Sequence, residues 1–315
     1  MSTSITPRLA LMLCLPPLLW AGNAVVGRLA IEQISPLWLN ALRWAIALSL
    51  LLPLGWRAFA SARRREQIRA RWRHLALLSL FGVGAYNALQ YLALKTSTPL
   101  NVTLIAASSP VWMLALGMAF YGERPHRAQL LGAALSLLGV AVVLARGDWQ
   151  TLLRVQLVAG DLLMLLAILS WSIYSWMLAR PPASMRGERR PDWHWSEILC
   201  IQMAMGLMWA TAAAGVGEWL QPGSGSVTWS PWLIAALAYV AIGPSLIAYR
   251  VWGLGVAQVG PAVAAFFANL TPLFAALLSA ALLGEWPQPF HALAFALIVA
   301  GIVVSSRPTS GQKSP

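Results

Sequence analysis

Residues 109–125 read SPVWMLALGMAFYGERP and residues 271–287 read TPLFAALLSAALLGEWP. Each copy has a proline, an apolar run of helical length and then Gly-Glu-x-Pro, and an offset of 162 residues superimposes Pro110 and Glu123 on Pro272 and Glu285. The same offset carries Pro99 onto Pro261 and Gly139 onto Gly301, so the register extends beyond the short element. A chain that repeats itself this way folds as two like halves. Chance likeness between two apolar helices would not hold prolines, glycines and a glutamate in step.

The solvent of those halves follows from composition. Hydrophobic residues make up 59% of the chain and charged ones 10%, where a soluble domain carries about 25% charged residues. The chain reads as an integral membrane protein whose partner is the lipid bilayer. In a soluble protein a net charge of +12 would suggest nucleic acid. Here the arginines gather in short stretches between apolar runs, which is a topology signal and excludes that reading. Cys14 and Cys200 are two thiols within apolar runs, too few for a disulfide framework or a metal site. The first apolar run continues past any cleavage region, so it reads as a retained helix rather than a signal peptide.

Ten segments are long enough to cross a bilayer, at about 20 residues each: 9–30, 36–56, 75–94, 99–121, 128–145, 160–179, 198–216, 232–249, 259–283 and 290–304. With a cytoplasmic N-terminus, sixteen Lys and Arg fall on the cytoplasmic side and four, Arg28, Lys95, Arg146 and Arg154, on the other. The positive-inside rule therefore puts both termini in the cytoplasm. Five helices per half invert the second half relative to the first, as in many transporters with a working site between repeats. The expected fold is an all-α membrane protein, ten transmembrane helices as two inverted five-helix repeats around a central cavity. The first repeat is expected over 1–146, the second over 155–307, with a short cytoplasmic tail at 308–315.

Ten helices, two five-helix halves, a Pro-to-Gly-Glu-x-Pro element closing the fourth helix of each, and the opening LLWAGNAVVGRLA resemble the drug/metabolite transporter superfamily, specifically its EamA-type members. The resemblance covers nearly the whole chain. It implies secondary transport of small metabolites across the bacterial inner membrane, often export of amino acids or related compounds, with no bound cofactor. It names no substrate.

Within the repeated element, Gly122 and Gly284 suit the left-handed turn that ends a helix, and Pro125 and Pro287 suit the first turn of the next. Glu123 and Glu285 then read as caps at a helix N-terminus, where negative charge is favoured by about 0.3–1 kcal/mol. The competing reading makes one of them a carrier of a coupling proton. Pro110 and Pro272 remove a backbone hydrogen bond inside a span, as a gating bend or a packing feature.

Polar residues inside spans are the candidate substrate contacts, because each is costly in hydrocarbon unless it faces the bundle interior. Asn87, Gln90 and Tyr91 share one helical face. Trp20 and Asn23 are three apart, as are Trp171 and Tyr174, while Ser108 and Asn269 sit in the fourth and ninth spans. Interhelical hydrogen bonding is the alternative for each one singly. Arg43 lies too deep for a loop charge: it holds a substrate carboxylate, pairs with Asp161 or Glu197, or snorkels to the headgroups. Carboxylates are nearly absent from the spans, which disfavours lipophilic cations and suits neutral, zwitterionic or anionic metabolites. Most of the seventeen tryptophans fall near interfaces, as an aromatic belt.

No HExxH, GxSxG or paired catalytic carboxylates mark an intramembrane enzyme, and no phosphate loop marks ATP drive. The expectation is a secondary transporter that exports small metabolites, with an importer, or a non-transport sensor or channel, as the alternatives.

Overall fold

The computed structural model describes residues 5–97, 99–146, 148–223, 225–283 and 288–306, all helices and short connections. Three of the helices begin with the same local chemistry. Thr6, Ser35 and Ser230 each take extended backbone and accept from the amide three residues on, at 3.3, 3.4 and 3.1 Å. Each is followed by proline at the first helical position, whose missing N–H costs nothing there.

In chain order the helices are α1 (Pro7–Ala30), α2 (Pro36–Gly55), α3 (Ala62–Arg69), α4 (Trp72–Thr96), α5 (Pro99–Ala107), α6 (Ser109–Tyr121) and α7 (Arg127–Ala145). They continue with α8 (Ala159–Ala179), α9 (Trp195–Leu220), α10 (Pro231–Ala268), α11 (Thr271–Leu283) and α12 (Pro289–Ser305). Among the described residues seven helices are long and apolar enough to cross a bilayer, and an eighth crossing results if α5 and α6, bent by 41° at Ser108, count as one. The chain is a multi-pass, all-helical membrane protein.

This differs from the expected count of ten, and the difference is local. The expected gap at 250–258 is helical, so α10 runs for 38 residues. At 1.5 Å per residue a straight helix of that length would be roughly 57 Å long, about twice a bilayer core. It is not straight: Gly260 (φ 79°, ψ 163°) breaks it just before Pro261. After that break, α11 with 13 residues and α12 with 17 are each shorter than a full crossing.

Glycine lets the helices approach closely. A Cβ on Gly132 of α7 would lie 2.7 Å from the Gly301 carbonyl of α12, and one on Gly301 would lie 2.7 Å from the Gly132 carbonyl. Seven residues on, a Cβ on Gly139 would lie 2.9 Å from the Ala294 carbonyl. The two helices therefore run antiparallel in backbone contact. Adding 162 to 132 and 139 gives 294 and 301, so the two contacts exchange under the repeat offset. α4 and α10 each contain a π-helical segment, Leu80–Ala85 and Ala241–Ile247, also about one offset apart.

Gly122 does adopt the left-handed conformation (φ 68°) at the end of α6. Glu123, however, is not the cap of α7. The His126 amide donates to Gln129 Oε1 at 3.0 Å there, while Glu123 accepts from Arg180 at the end of α8. Glu285 lies outside the described residues. Pro110 and Pro272 stand near the starts of α6 and α11 rather than within unbroken helices, each just after a break at Ser108 or at Asn269 and Leu270.

Candidate functional site: a polar cavity backed by Arg43

Arg43 on α2 is 1% exposed. A buried guanidinium presents five N–H donors in a fixed fork, and three other helices, α1, α4 and α10, supply the acceptors. Its Nε and one terminal nitrogen donate to Ser245 Oγ at 3.0 and 2.7 Å. The other terminal nitrogen donates to Asn23 Oδ1 at 3.2 Å, Asn87 Oδ1 at 2.9 Å and the Tyr91 hydroxyl at 2.6 Å. The Tyr91 hydroxyl in turn donates to Asn23 Oδ1 at 3.0 Å. Ser245 lies in the π-helical segment of α10 and donates to the Val240 carbonyl at 2.7 Å.

No carboxylate among the described residues pairs with Arg43. Asp161 instead accepts from Ser97, from Asn101 Nδ2 at 2.8 Å and from the Val158 amide at 2.8 Å at the start of α8. Glu197 pairs with Arg64 of α3 at 3.0 Å. The two expected ion-pair partners are thus engaged elsewhere, and Arg43 does not snorkel. Its charge rests on neutral dipoles.

Asn23 and Asn87 are shared between this network and a central cavity of about 80 Å³. Its wall includes Trp20, Asn23, Asn87, Gln90, Trp171, Asn269 and Pro272, seven of the residues the sequence singles out. Helix breaks supply part of the wall: Ser109 follows the bend between α5 and α6, Asn269 lies in the break before α11, and Thr271 follows it. The volume holds a few water molecules, well below the roughly 300–1,000 Å³ of typical small-molecule sites.

The remaining candidates lie elsewhere. Arg43 and Tyr91 form the layer behind the wall. Ser108 faces its own helix, donating to the Ile105 carbonyl at 2.6 Å and accepting from Trp112 Nε1 at 3.2 Å, which satisfies the bend rather than the cavity. Tyr174 lies beyond Trp171, its hydroxyl donating to Gln202 Oε1 at 3.2 Å.

Trp171, 3% exposed, is the hub of an aromatic layer. Its ring centroid is 5.2 Å from those of Trp20, Tyr174 and Trp252, 5.4 Å from Tyr249 and 4.9 Å from Tyr86. On the far side, at the end of the bundle carrying α3, a vestibule of about 330 Å³ is lined by Tyr174 and Tyr249 but not by Trp171. The layer separates the two spaces.

Tyr86 and Thr103, which line the cavity, and Ser245, Tyr249 and Trp252, which touch Arg43 or Trp171, are neighbours that sequence reasoning missed. One signal was available for Tyr249: it is the repeat counterpart of Asn87, 162 residues on. Ser245 had none, because a π-helical turn is what brings it to Arg43.

The EamA-like transporter family matches residues 8–145 and 158–307. An uncharacterized transporter of Archaeoglobus fulgidus is 26% identical, over 94% of this chain and 96% of its own. The aromatic amino acid exporter YddG of Ancylobacter novellus is 26% identical, over 92% and 93%. One crystal structure superposes with a TM-score of 0.72 at 22% identity, over 94% of this chain and 96% of that one. With the family spanning both halves of a multi-pass helical bundle, the chain belongs to the EamA-like transporter family and is a membrane transporter.

Proposed function

We propose that the protein is a secondary transporter that exports small neutral or zwitterionic metabolites, such as amino acids and related compounds, across the bacterial inner membrane by alternating access. In this reading ten spans form two inverted repeats, 1–146 and 155–307, with both termini and the 308–315 tail cytoplasmic. The charge asymmetry of the connections and the exchange of the Gly132 and Gly139 contacts under the 162-residue offset support it. So does the name of the aromatic amino acid exporter among its relatives.

The observation that carries the substrate class is Arg43. A guanidinium with no carboxylate partner among the described residues, directly behind Asn23 and Asn87, leaves a positive potential at an amide-lined wall. Such a wall attracts a substrate carboxylate and repels cations, while Trp20, Tyr86 and Trp171 offer an apolar and aromatic face. Opening requires the aromatic layer to part, with α5–α6 and α10–α11 moving about the breaks before Pro110 and Pro272.

The test compares metabolites inside and outside deletion and overexpressing cells, with Asn23→Ala and Arg43→Ala controls at matched protein level. A carboxylate-bearing compound that accumulates outside on overexpression, and not with the controls, is the expected result. Depletion from the medium would make the protein an importer. No change in any compound would favour a sensor or channel.

A further inference from the structure

The vestibule of about 330 Å³ at the α3 end reaches the range of small-molecule sites, which the central cavity does not. Among the described residues its lining contains His74, Arg190 and Arg250 and no carboxylate. Arg250, on α10, lays its guanidinium over the Trp195 ring at 4.5 Å. Among the described residues it makes no ion pair or hydrogen bond, so the ring holds the plane while the N–H fork stays free. A fork of that kind matches the two oxygens of a carboxylate. Tyr174, Trp193 and Tyr249 provide an aromatic surface in the same space.

We propose that this vestibule is a second binding site, distinct from the central cavity, for carboxylates that carry an apolar or aromatic group. Arg250 takes the carboxylate and the aromatic wall takes the remainder. Gly253, one turn along α10, lines the same space, and a Cβ there would meet nothing within 4 Å. Its missing side chain is room for a ligand rather than a helix contact. The assignment stands on the vestibule alone and does not require the central site to bind anything.

Equilibrium dialysis of full-length protein in nanodiscs tests it with three probes of one shape: phenylacetate, neutral phenylacetamide and cationic phenethylamine. Phenylacetate should bind at least tenfold tighter than phenylacetamide, and phenethylamine should not compete. Arg250→Gln should lower phenylacetate affinity at least tenfold and Arg250→Lys by less, because a charge remains without the fork. Gly253→Leu, whose Cβ would meet nothing within 4 Å, should lower it as much as Arg250→Gln, and it carries the test if Arg250→Gln does not fold. Asn269→Ala probes the central cavity, and Gly215→Ala, which lines neither space, should leave binding unchanged. Equal binding of phenylacetate and phenylacetamide, or unchanged binding in Gly253→Leu, overturns the proposal. Loss of binding in Asn269→Ala with retention in both vestibule variants puts the probe in the central cavity, which overturns the vestibule site and leaves the central one standing.

Discussion

Asn87 and Tyr249 stand one repeat offset apart, 162 residues, and touch: Asn87 Nδ2 donates to the Tyr249 hydroxyl at 3.2 Å. A residue meets its own counterpart only close to the axis that relates two halves. The Tyr249 hydroxyl in turn donates to the Gly82 carbonyl in the π-helical segment of α4. One phenol thus joins α4, α10 and the amide that holds Arg43.

Tyr249→Phe keeps the ring against Trp44 and Trp171 but removes both hydrogen bonds. A hydrogen bond of this kind is worth about 0.5–1.5 kcal/mol, so a fall of a few degrees in melting temperature is expected. Flux in proteoliposomes should fall more steeply than stability, since Asn87 loses its tether on the cavity side.

Arg43→Lys tests whether charge alone suffices. A lysine carries one ammonium where the guanidinium reaches Ser245, Asn23, Asn87 and Tyr91 together. Folded protein with at least a tenfold loss of transport is the expected outcome, measured by size-exclusion profile and flux. Full activity in Arg43→Lys would mean that the fork does not shape the wall.

The α7–α12 contact predicts paired sensitivity. Gly132→Ala and Gly301→Ala each drive a methyl into the opposing backbone and should lower the melting temperature by similar amounts. Gly215→Ala on the exposed side of α9 meets nothing within 4 Å and should be neutral or stabilising, as alanine is favoured over glycine in helices by up to about 1 kcal/mol.

Arg64 and Glu197 form an uneven pair, with side-chain exposures of 29% and 5%. Arg64→Ala strands a buried carboxylate and should cost about 1–3 kcal/mol. Adding Glu197→Gln should recover part of that loss, because the amide oxygen still accepts from the His194 amide, now at 2.7 Å from the carboxylate. A thermal-melt double-mutant cycle reads the coupling.

The helical membrane class and the repeat offset were legible because apolar length and proline–glycine register are one-dimensional signals. The amides and tryptophans at the cavity were legible too, since polar atoms in apolar spans have few places to go. What escaped was phase and partnership. The helix at 250–258 carries Arg250 and looked like a gap because one charge interrupts the apolar run. Glu123 looked like a local cap, yet its partner Arg180 is 57 residues away. Ser108, adjacent to the cavity-lining Ser109, faces the other way because the bend falls between α5 and α6 at that residue.

The π-helical segment of α4 sorts one continuous helix between two spaces. His74, Leu75 and Leu78 before it face the vestibule, while Tyr86, Asn87 and Gln90 after it face the central cavity. A widened turn works like one extra residue, which in a plain α-helix amounts to a rotation of about 100°. Deleting a single residue within 80–85 would therefore leave the helix continuous while turning Asn87 away from Arg43. Insertions and deletions there are changes of lining, whereas the same change at a helix end would only alter a loop.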